Sequence, residues 1–153
     1  MNEAKARAMI QAHFKASNIG AAGGGPEDDI ARASEIYADE AVLEWPQGGE
    51  RLRGKANIIA FRSTYPARQH FEVRRITGCA DLWVNEYTIR YDDHPVMVVG
   101  IMEFRDDKVV RERIYFGDPW EPPAWRAQWV ERFDPWEPAP SVSAHQSRAR
   151  RSD

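Results

Sequence analysis

The sequence predicts an α+β fold: three N-terminal helices, then a strongly curved, mostly antiparallel sheet, then a short C-terminal helix. Three observations predict it. Apolar residues recur at helical spacing before Pro66 and alternate at strand spacing after it. The strand-like segments are joined by connections of hairpin length. Helices come first and strands follow, which is the order of an α+β protein rather than of alternating βαβ units.

Taken in order, residues 3–18 place Ala6, Ile10, His13, Phe14 and Ser17 on one helical stripe. Gly20 through Gly25 end that helix. Pro26 with Glu27, Asp28 and Asp29 opens a second one, its acids at the positive end of the dipole. Ile30, Ala33 and Tyr37 give the second helix an apolar side. Val42-Leu43-Glu44-Trp45 reads as a short strand closed by Pro46, and Gln47-Gly48-Gly49-Glu50 as a turn. Residues 54–65 resume helical spacing through Ile58, Phe61, Arg62 and Tyr65. Beyond Pro66, residues 71–77, 81–91, 96–105 and 108–116 are β-branched and aromatic. Gly78-Cys79-Ala80, Asp92-Asp93-His94-Pro95 and Asp106-Asp107 separate them. The strand at 96–105 is apolar on both faces. Helices cover one face, and a second subunit is the simplest cover for the other, so a homodimer through the outer face of the sheet is expected.

The C-terminal region carries the stretch DPWEP twice, at 118–122 and 134–138. The first copy leaves the last strand, and Pro122-Pro123 then opens a helix in which Trp125, Trp129 and Phe133 share a face. This element is expected as packing, with Trp120 the best candidate there for ligand contact. The second copy stops the helix. Two copies do not make a stacked repeat, which needs at least three units. The main domain is therefore expected to span 1–134, with 135–153, including Arg148, Arg150 and Arg151, as a disordered tail.

Composition narrows the function classes. The 153 residues carry 21 basic and 24 acidic side chains dispersed along the chain, for a net charge of −3. That balance argues against a nucleic-acid or membrane-surface partner, either of which calls for a basic face. The single cysteine, Cys79, rules out an internal disulfide and reads as a buried or inert thiol in a reducing compartment. No apolar run resembles a signal peptide or approaches the ~20 residues of a membrane span, so a cytoplasmic location is expected. There is no His-x-x-x-His, paired-Cys or clustered-carboxylate spacing, so neither a metal nor another cofactor is expected. GAAGGGP at 20–26 follows a helix rather than a strand and lacks Gly-Lys-Ser/Thr, which makes it a connection and not a phosphate loop.

Two stretches, YADEAVLEWPQGGERLRGKANIIAF at 37–61 and PVMVVGIMEFRDDKVVRERIYFGDP at 95–119, resemble the SnoaL-like, nuclear-transport-factor-2-like superfamily. With the opening helix the resemblance spans about residues 5–133. It implies a cone of three helices wrapped by a bent sheet, in a fold that hosts isomerases, cyclases, dehydratases, epoxide hydrolases and plain binders. The catalytic Asp of the superfamily's ketosteroid isomerases falls on Trp45, their oxyanion-hole acid on Met102 and their oxyanion Tyr near His13. The limonene-epoxide-hydrolase-like members carry an Arg and two Asp at what are here Tyr87, Ile89 and Ile114. Neither catalytic set is retained.

Alternation places Trp83, Asn85, Tyr87, Ile89 and Tyr91 inside, with Val98, Gly100, Met102, Phe104, Glu112, Ile114 and Phe116 from the next two strands. Leu43, Trp45, Phe14, Ile58 and Phe61 complete an apolar, aromatic cavity suited to a flat or polycyclic apolar ligand. The candidate catalytic set is His13 as general base or acid, Glu112 as its partner and Tyr87 as hydrogen-bond donor. Candidate substrate-binding residues are Trp45, Trp83, Asn85, Tyr91, Met102, Phe116, Asp118 and Trp120. The competing expectation makes His13 a satisfied core residue and pairs Glu112 with Arg111 or Arg113. His94 reads as a solvated turn, and His70 begins a strand. Two functions fit. One is an isomerase, cyclase or dehydratase acting by acid–base chemistry on an apolar carbonyl compound. The other is a non-catalytic binder of a small apolar molecule. The two are separated by whether His13 and Glu112 lie on the same side of the sheet.

Overall fold

The computed structural model describes residues 2–20 and 27–137. These divide into two compact units, Met1–Trp120 and one that begins at Glu121. The expected glycine connection at 21–25, the Pro26 helix start and the Arg-containing tail from 138 onward lie outside the described residues.

In the first unit, α1 (Glu3–Gly20) buries Ala6, Ile10, His13 and Phe14 of the expected stripe, with Ala16 buried beside them and Ser17 only half-buried. The Asn18 amide fastens its C-terminal end to the sheet, donating to the Phe71 carbonyl at 2.8 Å and accepting from the Phe71 amide at 2.6 Å. The second helix, α2 (Glu27–Ala33), is shorter than expected. A 3-10 turn at Ser34–Ile36 follows, and the chain is already extended at Tyr37, where β1 (Tyr37–Trp45) begins. Tyr37 thus sits at the start of a strand rather than on the apolar side of a helix. Its spacing from Ala33 fits a helix, but its backbone is extended, at φ −84° and ψ 143°, and its ring is buried with the hydroxyl bonded to Glu112. The turn falls at 46–49, one residue earlier than expected, and β2 (Glu50–Arg53) then pairs antiparallel with β1. Gly54, at φ 87°, lets the chain reverse into α3 (Lys55–Ser63).

Four long strands follow: β3 (Gln69–Cys79), β4 (Leu82–Tyr91), β5 (His94–Arg105) and β6 (Lys108–Gly117). The sheet order is β2-β1-β6-β5-β4-β3, antiparallel throughout except for the β1–β6 pair. Asp106 and Asp107 both take positive φ in the two-residue β5–β6 turn, as a type I′ hairpin requires. Register shifts between Val73 and Arg75 on β3, and between Glu103 and Phe104 opposite β6, bend the sheet. The β3 shift also changes which parity faces inward. Phe71 before it and Ile76 after it both face inner residues of β4, Ile89 and Asn85.

The core lies between the helices and the concave face. Trp83, Asn85, Tyr87 and Ile89 of β4, Val96, Val98, Met102 and Phe104 of β5, and Glu112 and Ile114 of β6 are all buried there, with the alternation the sequence predicts. Leu82, Val84, Met97, Val99 and Tyr115 face the other way and remain exposed. Cys79 is a free thiol in an exposed position at the end of β3, not a buried one. In the second unit the C-terminal helix is a 3-10 helix, Ala124–Trp129, and it stops before Phe133. A three-residue period does not align residues four apart, so Trp125, Trp129 and Phe133 form no helical stripe; they are 72%, 71% and 79% exposed.

Candidate functional site

A cavity of about 190 Å3 opens between α1, α3 and the concave face of the sheet. Aromatic side chains build most of its wall. Trp45 lies 5.2 Å from Phe61, Phe61 5.8 Å from Tyr65, and Tyr65 5.6 Å from Tyr91, between ring centroids. On the α1 side Phe14 lies 4.8 Å from Tyr87, and Phe71 lies 6.2 Å from both. Ring stacks of this kind give a wall that is rigid and apolar.

Into this wall the fold also sets His13, Arg62, Gln69 and Glu112, beside the hydroxyl-bearing rings of Tyr65, Tyr87 and Tyr91. Glu112 comes from the centre of β6, where alternation turns it inward, and only 2% of its surface is exposed. It pairs with neither neighbouring arginine. The Tyr37 hydroxyl donates to its Oε2, and Arg62 Nη2 donates to the Tyr37 oxygen at 3.0 Å. Arg62 also lies over the Tyr37 ring, 5.3 Å from its centroid. A chain of groups thus runs from the guanidinium through the phenol to the carboxylate. Gly100 makes room for it. A Cβ there would stand 3.1 Å from Glu112 Oε1 and 3.4 Å from the Tyr87 ring.

His13 and Glu112 line the same cavity, on the same side of the sheet. His13 Nδ1–H donates to the Ala33 carbonyl at 2.6 Å, which leaves Nε2 as the lone-pair nitrogen. The imidazole packs edge-on against Phe14 and Tyr37. Burial, with the positive charge of Arg62 behind it, lowers its pKa to about 3. Glu112 moves the opposite way: burial raises its carboxyl above the usual range, while Arg62 and the Tyr37 bond pull it back. Burial also pushes the hydroxyls of Tyr37, Tyr87 and Tyr91 up, so all three are neutral donors at ordinary pH. The two groups thus shift in opposite directions, the carboxyl holding its proton more tightly than usual and His13 staying a neutral neighbour.

The other expected site residues fall in three places. Trp45, Tyr91 and Phe116 line the cavity beside the polar groups. Trp83, Asn85 and Met102 are fully buried in the core away from that wall; the Trp83 indole donates to the Ala80 carbonyl at 3.1 Å, and both ends of the Asn85 amide lack a protein partner. Asp118 and Trp120 are exposed, Asp118 beside the exposed His94, 3.2 Å from its Nε2. His70 is exposed beside Glu72. Glu44, next to Trp45, points to the opposite face of the sheet, held by Arg51 and Arg113 at 2.6 and 3.1 Å. Tyr37, Arg62, Tyr65, Gln69 and Phe71 belong to the site although sequence reasoning had not placed them there. The one signal for Arg62 was its position, one residue after Phe61, on a helix stripe where a charged side chain has no business unless it is paired.

The fold is thus a helical layer against a bent sheet, with a small aromatic cavity and a few polar groups between them. The chain belongs to the SnoaL-like domain family, whose model matches residues 6–112. An NTF-2 like protein of unknown function from Burkholderia xenovorans LB400 is 44% identical, with a TM-score of 0.75 over 88% of this chain and 99% of that one. A putative ketosteroid isomerase from Kribbella flavida DSM 17836 is 23% identical, with a TM-score of 0.74 over 85% and 90% of the two chains. An LEH-like epoxide hydrolase of M. tuberculosis is 22% identical, with a TM-score of 0.56 over 74% and 83%. No curated protein matches the chain. Among the described residues, no group of three or more His, Cys, Asp or Glu side chains is arranged to hold a metal, and no helix is long and apolar enough to cross a membrane.

Proposed function

We propose that the protein is a small acid–base enzyme of isomerase, cyclase or dehydratase type, acting on an apolar carbonyl compound. The observation that carries this reading is Glu112, a carboxyl group buried on the wall of an aromatic cavity with its pKa raised. A carboxylate in that state takes a proton from carbon far better than one in water. Tyr87 supplies a hydrogen-bond donor, and His13 remains a neutral polar neighbour rather than the base. Ligand pockets usually measure ~300–1,000 Å3. A cavity of about 190 Å3 therefore favours a one-ring or short-chain substrate over a polycyclic one.

The test is solvent exchange. A panel of one-ring and short-chain ketones is incubated with the protein in D2O, and loss of the α-proton signal is followed by NMR. The wild type accelerates exchange of at least one member over buffer. Glu112→Gln, which keeps the shape and the bond from Tyr37, loses ~10²–10⁴-fold of that acceleration. Exchange that survives the substitution removes Glu112 from the role. No acceleration anywhere in the panel leaves the second reading, a non-catalytic binder, which the bond already made to Glu112 by Tyr37 favours.

Two further parts of the reading concern the surroundings of the site. The exposed thiol of Cys79 fits a reducing cytoplasm. The exposed apolar residues of the outer sheet face fit a second copy of the chain.

A further inference from the structure

Arg62 is a half-buried cation with one buried guanidinium nitrogen whose bonding is incomplete. Its guanidinium has five N–H donors in a fixed plane. Nη2 donates to the Tyr37 hydroxyl at 3.0 Å, but Nη1 is buried and has no partner in the protein. Leaving a buried donor unpaired is costly, and more so for a charged group. The fold does not relieve that cost by pairing Arg62 directly with Glu112, because the Tyr37 phenol stands between them, accepting from Arg62 and donating to Glu112. Arg62 and Glu112 line the same cavity, one from the last turn of α3 and the other from β6.

We propose that Arg62 is the oxygen anchor of this cavity and a catalytic residue: its Nη1–H binds the substrate's carbonyl oxygen and holds the enolate oxygen that forms from it. The inference rests on the acid–base reading of Glu112 and names what that reading lacks, a group to receive the negative charge. The step balances without a co-reactant. The α C–H bond breaks and its proton goes to the Glu112 carboxylate. The bonding pair becomes the new C=C bond, and the carbonyl π pair moves onto oxygen beside Nη1. Donors aimed at the atom where charge develops act more strongly in a dry site than in water.

The charge count also selects the substrate. With Glu112 ionised and the imidazole and phenols neutral, Arg62 and Glu112 cancel, so a neutral ketone enters without an uncompensated charge. A carboxylate of the same size would leave the buried site one charge negative, whereas an enol or phenol that hands its proton to Glu112 keeps the sum at zero. The substrate class is therefore a small, uncharged, one-ring or short-chain ketone with an acidic α-proton.

A phenol that absorbs differently when ionised mimics the enolate oxygen, and 4-nitrophenol is such a one-ring probe. Its absorbance is titrated against pH, free and bound to the full-length wild-type protein. Bound to the wild type, its ionisation moves to lower pH by about one unit, a tenfold preference for the phenolate. In Arg62→Met, which keeps the stem and removes the charge, the shift disappears or reverses, while Arg62→Lys restores part of it. A wild type that leaves the ionisation unmoved, moves it upward or fails to bind the probe at millimolar concentration overturns the proposal, even if Arg62→Met does not fold. So does an Arg62→Met variant with the wild-type shift. Glu112→Gln separates the two readings. It retains or enlarges the phenolate preference because it removes only the negative neighbour. In Arg62→Met, a lost preference with proton exchange intact sinks the anchor alone; in the wild type, a phenolate preference without any proton exchange sinks the acid–base role alone.

Discussion

His13 shows how burial at a single residue becomes a property of the whole protein. Its imidazole gives its Nδ1 proton to Ala33, sits edge-on to two aromatic rings and faces the charge of Arg62, and its pKa falls to about 3. In the unfolded chain it titrates near the ordinary value of 6.5. Below that pH the unfolded state binds a proton at this position and the folded state does not. Stability contributed here is therefore complete above the unfolded value and is lost as pH falls toward the folded one, at about 1.4 kcal/mol per pH unit. Glu112 has the opposite sign. Its raised pKa means that the folded state holds a proton where the unfolded state has released one, which favours folding as pH falls through that window. Lys5, Asp107 and the other exposed pairs are screened and add little. His13→Asn keeps a donor for Ala33 and removes the titration. Between pH 7 and pH 5 the wild type is expected to lose about 2 kcal/mol more than the variant in urea unfolding. Equal losses would show that the imidazole does not stay neutral. The position of His13 was legible because its helix stripe is unbroken. Its chemistry was not, because the charge that sets it comes from α3, a helix whose arginine lies nearly fifty residues away in sequence.

At the scale of elements, the concave face was legible almost residue by residue, since a strand buried on one side admits one alternation. Trp83 to Tyr91 and Glu112 to Phe116 point where their parity says. The failures occur where a second constraint overrides the period. The spacing of Ile30, Ala33 and Tyr37 fits a helix, yet Tyr37 pairs with Val109 of β6 and bonds Glu112 through its hydroxyl, and β1 starts there. Arg62 fits α3 on either reading, so only the tertiary partner reveals its job. The β3 register shift is invisible in sequence because Val73-Arg74-Arg75 carries no glycine or proline to mark it. The β3–β4 hairpin offers a sharper test of how closely these elements pack. A Cβ on Gly78 would stand 2.4 Å from the Leu82 carbonyl oxygen and 2.7 Å from the Trp83 ring. Neither can yield cheaply: one is backbone, and the other is a wholly buried indole with its N–H bonded to Ala80. Gly78→Ala is expected to cost at least ~1–3 kcal/mol and to lower Tm by several degrees. A Tm within a degree of wild type would mean that the hairpin opens freely at Gly78.

For the whole molecule, the unresolved question of the fold is what lies on the convex face. Register brings Val84 beside Ile101, Ile101 beside Arg113, Val99 beside Tyr115, and Met97 beside Gly117, so the exposed apolar side chains form one patch across β4, β5 and β6. Leu82, at 52% exposed, extends it along β4. A patch of this kind on a sheet centre is unusual for a monomer, and the commonest closed way to cover it is an isologous pair related by a two-fold axis. Sequence already pointed here, because a strand apolar on both faces needs two covers and the helices provide one. We therefore propose a homodimer through this face. Val99 lies at the centre of the patch and touches nothing in the cavity, so its substitution separates assembly from chemistry. Val99→Lys places a charge that two copies would have to bury against each other. In sedimentation at micromolar concentration the wild type is expected to run as a dimer and Val99→Lys as a monomer, with proton exchange per chain within about twofold of wild type once folding is confirmed. A wild type that sediments as a monomer across that range, or a Val99→Lys variant that stays dimeric, would place the partner surface elsewhere and leave the convex face bare.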